Sequence, residues 1–279
     1  MLEDLYTSVQ GNTIRYRDTG GEKPVLLLTH GIGSSLETWE AQADSLAGHF
    51  RIISWDLPGH GLSDIPHDAF GIETYAGFAW HFLDALKIDQ AAVGGNSMGA
   101  GISVHMMGLH PERVTKAVLL NSAALGKDIP LPFRLMLLPI LGKLISKPGQ
   151  MSIDNQIKGI FYDQDKVTEK VKATIARNVM REGAQAAFVA TLKEISTVSG
   201  QRESLYSKTL AILSSTKKPV LFIHGRHDVV IPLAHSQHAQ AMTPNSKLII
   251  LEDCGHTPQI EEPVEVNKLL TEFLLEQEA

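Results

Sequence analysis

Residues 95–99, Gly-Asn-Ser-Met-Gly, place a serine between two glycines, after a predicted strand and before a predicted helix. At a sharp turn from strand to helix, small neighbours let the chain fold tightly and hold Ser97 exposed above the sheet edge. The hydroxyl would lie at a helix N-terminus, where negative charge is stabilised. We therefore predict that Ser97 is a nucleophile; the alternative is a glycine-rich turn with a capping serine.

Two further residues could activate this serine. A serine hydroxyl is a weak nucleophile at neutral pH, so it needs a general base, and that base needs an orienting acid. His256 and Asp228 each follow a predicted strand in the last third of the chain. Taken singly, Asp228 could be a helix cap and His256 an ordinary loop histidine. Three suitable residues at three strand ends predict a catalytic triad of Ser97, His256 and Asp228.

The loop of residues 30–34, His-Gly-Ile-Gly-Ser, follows another predicted strand. The backbone N–H groups of Ile32 and Met98 could donate to a developing oxyanion, and one such donor contributes about 3 kcal/mol to transition-state stabilisation. We predict substrate contacts at Gly31, Gly33 and Asn96. Two alternatives stay open: the loop could be a simple glycine turn, and Asn96 could stabilise the serine turn instead.

The most hydrophobic segment of the chain covers residues 131–145. It contains more apolar side chains than a short solvent-facing segment usually has. We predict that Leu137 and Leu138 wall an apolar pocket over Ser97. The alternatives are packing on the core and a dimer contact.

The elements that must position these residues follow from hydrophobic patterning. Residues 1–125 alternate short apolar runs with helical patterns, which is typical of a mostly parallel sheet. Residues 126–210 read as helix with no convincing strand, and the alternation resumes over residues 211–279. The predicted strands, after an N-terminal hairpin at 5–9 and 13–16, are 25–29, 52–55, 91–94, 117–120, 219–223 and 247–251. The predicted helices are 36–47, 72–86, 98–109, 167–195 with a possible break at Gly183, 234–241 and 264–275.

Five segments resemble the signatures of the α/β-hydrolase family, in order and at suitable spacing. They are HGIGSSLETW (30–39), DLPGHGLSD (56–64), GNSMGA (95–100), GRHDVVIP (225–232) and GHTPQIEEP (255–263). The resemblance implies an α/β fold with an eight-stranded, mostly parallel sheet and a helical lid between the sixth and seventh strands. The implied division is a core of residues 1–125 and 211–279, with residues 126–210 as the lid. The resemblance also implies the triad above, in the chain order Ser97, Asp228, His256, with no metal or organic cofactor.

Within this family the nucleophile narrows the chemistry. Haloalkane dehalogenases and epoxide hydrolases of the fold place Asp where this chain has Ser97, so both are disfavoured. The GNSMG sequence resembles enzymes that hydrolyse carbon–carbon bonds in meta-cleavage products. Those enzymes usually have Trp after the catalytic His, where this chain has Thr257. Their first glycine loop is usually richer in glycine than residues 30–35 of this chain. They also place an arginine in the lid, for which Arg177 and Arg181 are candidates. The leading prediction is a carboxylesterase, with a carbon–carbon hydrolase second and a non-catalytic, receptor-like protein third.

Composition restricts the partners. The 279 residues are 43% apolar, include one Cys and have a net charge of −6 without a basic run. A single Cys excludes an intrachain disulfide framework and fits a reducing cytoplasm, and the missing basic patch argues against nucleic acid. We expect a cytoplasmic protein with no signal peptide and no membrane span, acting on a small-molecule ester or diketone substrate. His235 and His238 would lie one turn apart on a helix, but no third ligand accompanies them, so we predict no metal site.

Overall fold

The computed structural model describes residues 2–68 and 70–276, and its centre is an eight-stranded sheet. Two very short strands, β7 and β8, pair separately. The strands are β1 (Leu5–Val9), β2 (Asn12–Asp18), β3 (Val25–Thr29), β4 (Arg51–Trp55), β5 (Ala91–Asn96), β6 (Val114–Leu120), β7 (Ser196–Thr197), β8 (Gly200–Gln201), β9 (Val220–Gly225) and β10 (Ser246–Leu251).

Helices cover both faces of the sheet and fill the insertion between β6 and β9. They are α1 (Glu40–Leu46), α2 (Ile72–Ala85), α3 (Met98–Leu109), α4 (Leu131–Met136), α5 (Pro139–Ile145), α6 (Gln150–Ile160), α7 (Glu169–Met180), α8 (Ala184–Ile195), α9 (Glu203–Ser215), α10 (Leu233–Met242), α11 (Pro258–Glu261) and α12 (Pro263–Leu275). Two 3₁₀ turns cover Leu36–Trp39 and Gln164–Lys166. None of the described helices is long and apolar enough to cross a membrane.

The main sheet has the strand order β1-β2-β4-β3-β5-β6-β9-β10. The pairings of β1 with β2 and of β2 with β4 are antiparallel, and every other neighbouring pair in this sheet is parallel. Parallel strands end at the same edge, and ligands in such sheets bind in the crevice beyond those ends. The loops after β3, β5, β9 and β10 therefore lie along one edge, which is what the predicted triad requires.

Two apolar layers hold the sheet between its helices. β5 and β9 are buried at every position, as expected for central parallel strands covered on both faces. One layer packs the sheet against α2, α3 and α9, and the other packs it against α1 and α12. The predicted α/β fold with an eight-stranded, mostly parallel sheet is confirmed.

The insertion between β6 and β9 has a small apolar core of its own. It is formed by Ile153, Ile157, Phe161, Val167 and Ile175, on and between α6 and α7. The expectation that residues 126–210 contain no strand is wrong, because β7 and β8 form an antiparallel hairpin there. Two residues a strand are too few to produce a visible alternation of apolar and polar side chains.

Helix α9 runs across the predicted lid boundary at residue 210. It packs beside α3, and His105 Nε2 lies 2.9 Å from Thr209 Oγ1. Because α3 follows the serine turn, α9 belongs with the core by its contacts. The division at residues 125/126 and 210/211 stays a prediction.

Three buried histidines make folding sensitive to acid. Burial disfavours the imidazolium form and lowers the pKa of His30 to about 4, of His60 to about 3 and of His105 to about 4. An unfolded histidine titrates near 6.5, at about its ordinary value. Between about pH 6.5 and pH 4 these three histidines therefore bind more protons in the unfolded chain than in the folded chain, and their contribution to stability falls as the pH falls.

We expect His105→Gln to make this dependence shallower. Each such histidine contributes a slope of about 1.4 kcal/mol per pH unit to the free energy of unfolding. Urea unfolding at pH 7.5, 6.5 and 5.5 measures the slope for the wild type, His105→Gln and a control, His67→Gln, whose side chain is 99% exposed. Equal slopes for His105→Gln and the wild type would contradict the prediction, whatever the stability at pH 7.5.

Candidate active site

Ser97 lies at the turn between β5 and α3 in a backbone conformation that is unusual for a residue with a side chain. Its φ is 56° and its ψ −117°. Such a conformation costs about 1–3 kcal/mol and persists only where its surroundings hold it. Here Ser97 N donates to Leu120 O over 2.9 Å, and Ser97 O accepts from Ala123 N over 3.0 Å. The turn is therefore fixed from both sides by the end of β6.

Two glycines make the tight turn possible. A Cβ on Gly99 would lie 2.1 Å from Thr29 O, and one on Gly95 would lie 2.3 Å from Gly99 C. Contacts this short do not occur between real atoms, so both positions need glycine for the close packing of strand and helix. The two glycines of residues 95–99 are therefore explained by steric packing, independently of the resemblance of this segment to the α/β-hydrolase signature.

The structure brings Asp228 and His256 together. Asp228 lies in the loop after β9 and His256 in the loop after β10, and His256 Nδ1 lies 2.8 Å from Asp228 Oδ2. His256 is 6% exposed and the Asp228 side chain is fully buried. The carboxylate can therefore fix both the orientation and the tautomer of the imidazole.

The remaining lone pairs of Asp228 are also occupied. Oδ1 accepts from Val230 N (2.7 Å) and Ile231 N (3.0 Å), and Oδ2 accepts from Asn121 Nδ2 (2.6 Å). Burial by itself would raise the pKa of Asp228, but the charge and hydrogen bond of His256 and the hydrogen bond of Asn121 outweigh it, so the pKa lies below its ordinary value. Asp228 is therefore ionised at neutral pH.

Ser97 lies at the same sheet edge as this pair and is 6% exposed. Within the described residues, no hydrogen bond joins Ser97 Oγ to His256 Nε2. Hydrogen bonds of this kind are often long in free enzymes and tighten when substrate binds. The structure thus brings the Asp228 carboxylate and the His256 imidazole into contact, and no described residue forms a hydrogen bond with the Ser97 hydroxyl.

The two predicted oxyanion donors flank the serine. Ile32 lies on the loop after β3, and Met98 is the first residue of α3. In the described chain neither backbone N–H donates a hydrogen bond to another protein group. An N–H without a protein acceptor at a helix N-terminus is available to an anion. The oxyanion role of both residues stays a prediction.

The predicted substrate contacts Gly31, Gly33 and Asn96 have different surroundings. Gly31 lies against the serine, since a Cβ there would be 3.2 Å from Ser97 Cβ. Gly33 instead lies under the lid, where a Cβ would be 3.1 Å from the Phe188 ring. Asn96 Nδ2 donates to His256 O over 2.9 Å and to Leu120 O over 3.3 Å. The Asn96 amide thus connects the serine turn to the histidine loop, which is the structural alternative for this residue.

The two lid leucines differ in their surroundings. Leu137 packs against the main apolar core, whereas Leu138 is 39% exposed. A cavity of about 200 Å³ does lie between core and lid, but neither leucine is among its lining residues in the described chain. Its lining includes Gly33, which is a predicted substrate contact, and Thr257, which is next to His256. Ile160, Phe161 and Ile175 also line it. The pocket-wall role of Leu137 and Leu138 stays a prediction.

Both candidate lid arginines contact the core. Arg177 forms a bidentate pair with Glu37, with Nη1 2.7 Å from Oε1 and Nη2 3.0 Å from Oε2. Arg181 donates to the backbone carbonyls of Gly61 (2.7 Å) and Ser63 (2.6 Å). These two guanidinium groups attach α7 to the core.

Two residues that sequence reasoning missed hold the triad loops. Asn121, in the left-handed region with φ 45°, donates to Gly255 O over 3.1 Å as well as to Asp228. Glu261 accepts from Gly255 N (3.0 Å) through Oε1 and from Tyr162 N (2.8 Å) through Oε2. The only sequence signal for Asn121 is a polar residue directly after an apolar strand. Glu261 lies in the segment 255–263, but its type alone does not indicate that it joins Gly255 to Tyr162, which is 99 residues away.

No group of three His, Cys, Asp or Glu side chains that could hold a metal occurs among the described residues. His235 and His238 share helix α10, and His235 Nε2 lies 3.3 Å from Asp128 Oδ2.

Comparison with known proteins identifies the family. The family model described as the alpha/beta hydrolase fold matches residues 24–263. The chain belongs to the α/β-hydrolase fold family.

Relatives within the family include known hydrolases. The chain is 30% identical to a 2-hydroxymuconate semialdehyde hydrolase from Pseudomonas sp. (strain CF600), over 94% of this chain and 90% of the relative. Among solved structures it resembles a meta-cleavage product hydrolase from Pseudomonas fluorescens IP01 (TM-score 0.81, 24% identity, 97% of each chain). It also resembles an enol-lactonase from Burkholderia xenovorans LB400 (TM-score 0.80, 24% identity, 98% of this chain and 100% of that one). The two structures support the fold alone; the sequence relatives support hydrolase activity.

Proposed function

We propose that the protein is a cofactor-independent serine hydrolase that cleaves carboxylic esters through an acyl-enzyme at Ser97. The observation on which this rests is the 2.8 Å contact between His256 Nδ1 and Asp228 Oδ2, at the sheet edge where the Ser97 turn lies. The proposed substrate is a small to medium ester with an apolar moiety.

In the proposed first half-reaction, Ser97 Oγ attacks the ester carbonyl carbon while His256 Nε2 accepts its proton. Asp228 accepts the hydrogen bond from His256 Nδ1 and stabilises the imidazolium that forms. The carbonyl oxygen becomes an oxyanion, to which the N–H groups of Ile32 and Met98 donate. The tetrahedral intermediate then collapses: the carbon–oxygen bond of the ester breaks, and His256 gives its proton to the departing alcohol.

In the proposed second half-reaction, water replaces the alcohol. His256 takes a proton from this water as its oxygen attacks the acyl carbon, and the same donors hold the second oxyanion. When the intermediate collapses, the bond to Ser97 Oγ breaks and the serine regains its proton from His256. The products are a carboxylic acid and the free enzyme.

The cavity between lid and core supports an apolar moiety in the substrate. It is next to Gly33 and Thr257, and Ile160, Phe161 and Ile175 contribute to its wall. Charged groups of Glu37, Glu40 and Lys170 also line it, and among the described residues Ser97 and His256 do not. Small-molecule sites combine apolar walls with a few polar groups, so we propose that this cavity holds the part of the substrate that lies away from the reacting carbonyl.

A second candidate is hydrolysis of a carbon–carbon bond in a vinylogous 1,5-diketone acid. The observation in its favour is the 30% identity to a 2-hydroxymuconate semialdehyde hydrolase. The contacts of the lid argue against it, because Arg177 is paired with Glu37 and Arg181 with backbone carbonyls. Neither guanidinium is free to bind a substrate carboxylate unless these contacts break.

Two measurements test the proposal. The first is labelling with a fluorophosphonate, which reacts with activated serines; we expect labelling of the wild type and none of Ser97→Ala.

The second compares kcat/KM for p-nitrophenyl esters of increasing acyl length with kcat/KM for a vinylogous 1,5-diketone acid. Higher values for the esters support the proposal, and higher values for the diketone acid favour the second candidate. A folded protein that neither takes the label nor turns over either substrate would be a non-catalytic member of the family, and the proposal would be wrong.

A further inference from the structure

Helices α4 and α5 of the insertion present an apolar surface to solvent. We define the lid apolar face as Leu131, Leu138, Ile140, Leu141 and Leu144. Ile140 is 87% exposed, Leu144 70% and Leu131 64%. Ile140 and Leu144 are four residues apart on α5, so they lie on the same side of that helix. Exposed apolar side chains that adjoin one another mark interaction sites, whereas single ones are common on any surface.

The exposure does not come from a loosely attached segment. Phe133, Met136 and Leu137, in and just after α4, pack against the main apolar core. The two helices are also close to each other, since a Cβ on Gly142 would lie 2.1 Å from Met136 O. The segment therefore has one side on the protein and an apolar side that faces solvent.

The charge of this segment differs from that of the whole chain. Residues 129–153 contain three basic residues, Arg134, Lys143 and Lys147, and no Asp or Glu, whereas the chain has a net charge of −6. Lys147 is exposed, and Arg134 Nη2 lies 4.0 Å from Asp128, just before the segment. Apolar side chains with neighbouring Lys or Arg are typical of helices that lie in the plane of a membrane interface.

We propose that the lid apolar face binds reversibly to the surface of a membrane that contains anionic lipid. The apolar side chains would enter the boundary between headgroups and acyl chains, and Arg134 and Lys147 would contact the lipid phosphates. The chemistry of this surface fits lipid better than a second copy of the chain. In a two-fold dimer the same surface meets itself, and its cations would then face cations.

This binding would bring lipid close to the candidate active site. Phe133 of α4 packs against a small cluster of Ala123, Val230 and Ile231. Ala123 N in turn donates to Ser97 O. The helix that holds part of the lid apolar face therefore also contacts residues beside the serine turn.

Vesicle sedimentation tests the proposal with the full-length protein. Phosphatidylcholine vesicles are compared with vesicles of phosphatidylcholine and phosphatidylglycerol, at low and at high salt. We expect binding to the anionic vesicles that weakens as salt screens the charges. The double substitution Ile140→Glu with Leu144→Glu should lower the bound fraction by about tenfold or more, because two carboxylates replace two apolar side chains at the interface.

The matched control is Val264→Glu. It also replaces an exposed apolar side chain with a carboxylate, but Val264 is in α12, outside the lid apolar face, and is 82% exposed. It should bind as the wild type does. Circular dichroism and turnover of a short soluble ester show whether each variant is folded, independently of lipid. The proposal is overturned if anionic vesicles bind no protein, or if the double variant binds as well as Val264→Glu. It is also overturned if light scattering finds a dimer that only the double variant dissociates, since the face would then bind a second copy.

Discussion

Ser97→Ala is expected to lower kcat for ester hydrolysis on the order of 10⁶-fold, because the residues of a triad act as a unit and no other group supplies the nucleophile. The fold should survive, since alanine keeps the Cβ and the backbone bonds to Leu120 and Ala123 do not involve the hydroxyl. Steady-state hydrolysis of a p-nitrophenyl ester at matched protein concentrations measures the effect, and fluorophosphonate labelling detects any contaminating wild-type enzyme.

Two comparisons sharpen this test. Ser103→Ala removes a buried hydroxyl from the same helix, where Ser103 Oγ only donates to Gly99 O over 3.0 Å, so its kcat should stay near that of the wild type. The double variant Ser97→Ala with His256→Ala should be no slower than Ser97→Ala alone, because the base has no function without the serine. Additive losses, or an active Ser97→Ala protein, would show that the chemistry does not pass through this serine.

The core elements were predictable because their patterns are strong. β3 and α3 begin and end where the sequence places them, at Val25–Thr29 and Met98–Leu109. β3 is a continuous apolar run that ends before polar and glycine residues. α3 has a helical pattern that ends at His110-Pro111. The predicted helix of residues 36–47 is instead a 3₁₀ turn followed by α1, a difference in hydrogen bonding that apolar spacing does not reveal.

The predicted long helix of residues 167–195 is two helices, α7 and α8. The break at Gly183 was visible in the sequence, and the structure places this glycine in the left-handed region with φ 79°. A left-handed residue ends a helix, and glycine adopts that conformation without steric cost. The hairpin of β7 and β8, by contrast, was missed because pairs of residues leave no periodic pattern.

The site was predictable to the extent that its residues are chemically distinctive. Ser97, Asp228 and His256 have side chains that suggest a triad, and they follow strands whose ends meet at one edge. Asn121 and Glu261 have common polar side chains, and each has a partner that is distant in the chain, Asp228 for Asn121 and Tyr162 for Glu261. A single sequence gives no information on such partners.

The lid was the least predictable region for the same reason. Leu137 and Leu138 are identical and adjacent, yet Leu137 packs on the core and Leu138 is 39% exposed. Which of two neighbouring leucines packs on the core depends on how α4 and α5 dock, and this is fixed by tertiary contacts. Apolar content predicted that the segment would cover something, but not which side chains would do so.

Asp228→Asn is expected to lower kcat about 10⁴-fold at neutral pH, because it reverses the hydrogen bond to the imidazole. The asparagine carbonyl oxygen can replace Oδ1, which accepts from Val230 N and Ile231 N. Its NH₂ group would then take the place of Oδ2, donate to His256 Nδ1 and lose the hydrogen bond that Asn121 Nδ2 donates to Oδ2. The imidazole proton would move to Nε2, so His256 could no longer accept the proton of Ser97.

The matched control is Asp253→Asn, which makes the same change at an exposed site three residues before His256. Its kcat should stay near that of the wild type. The pH profile gives a second readout: since the pKa of Asp228 is lowered, its interaction with His256 stabilises the folded state above the ordinary carboxyl pKa and is lost as the pH falls through the lowered value. The wild type should therefore keep the ionised acid throughout the neutral range, and Asp228→Asn should be slow over all of it. A variant within about tenfold of the wild type would mean that another group orients His256, because loss of the correct tautomer costs far more than that.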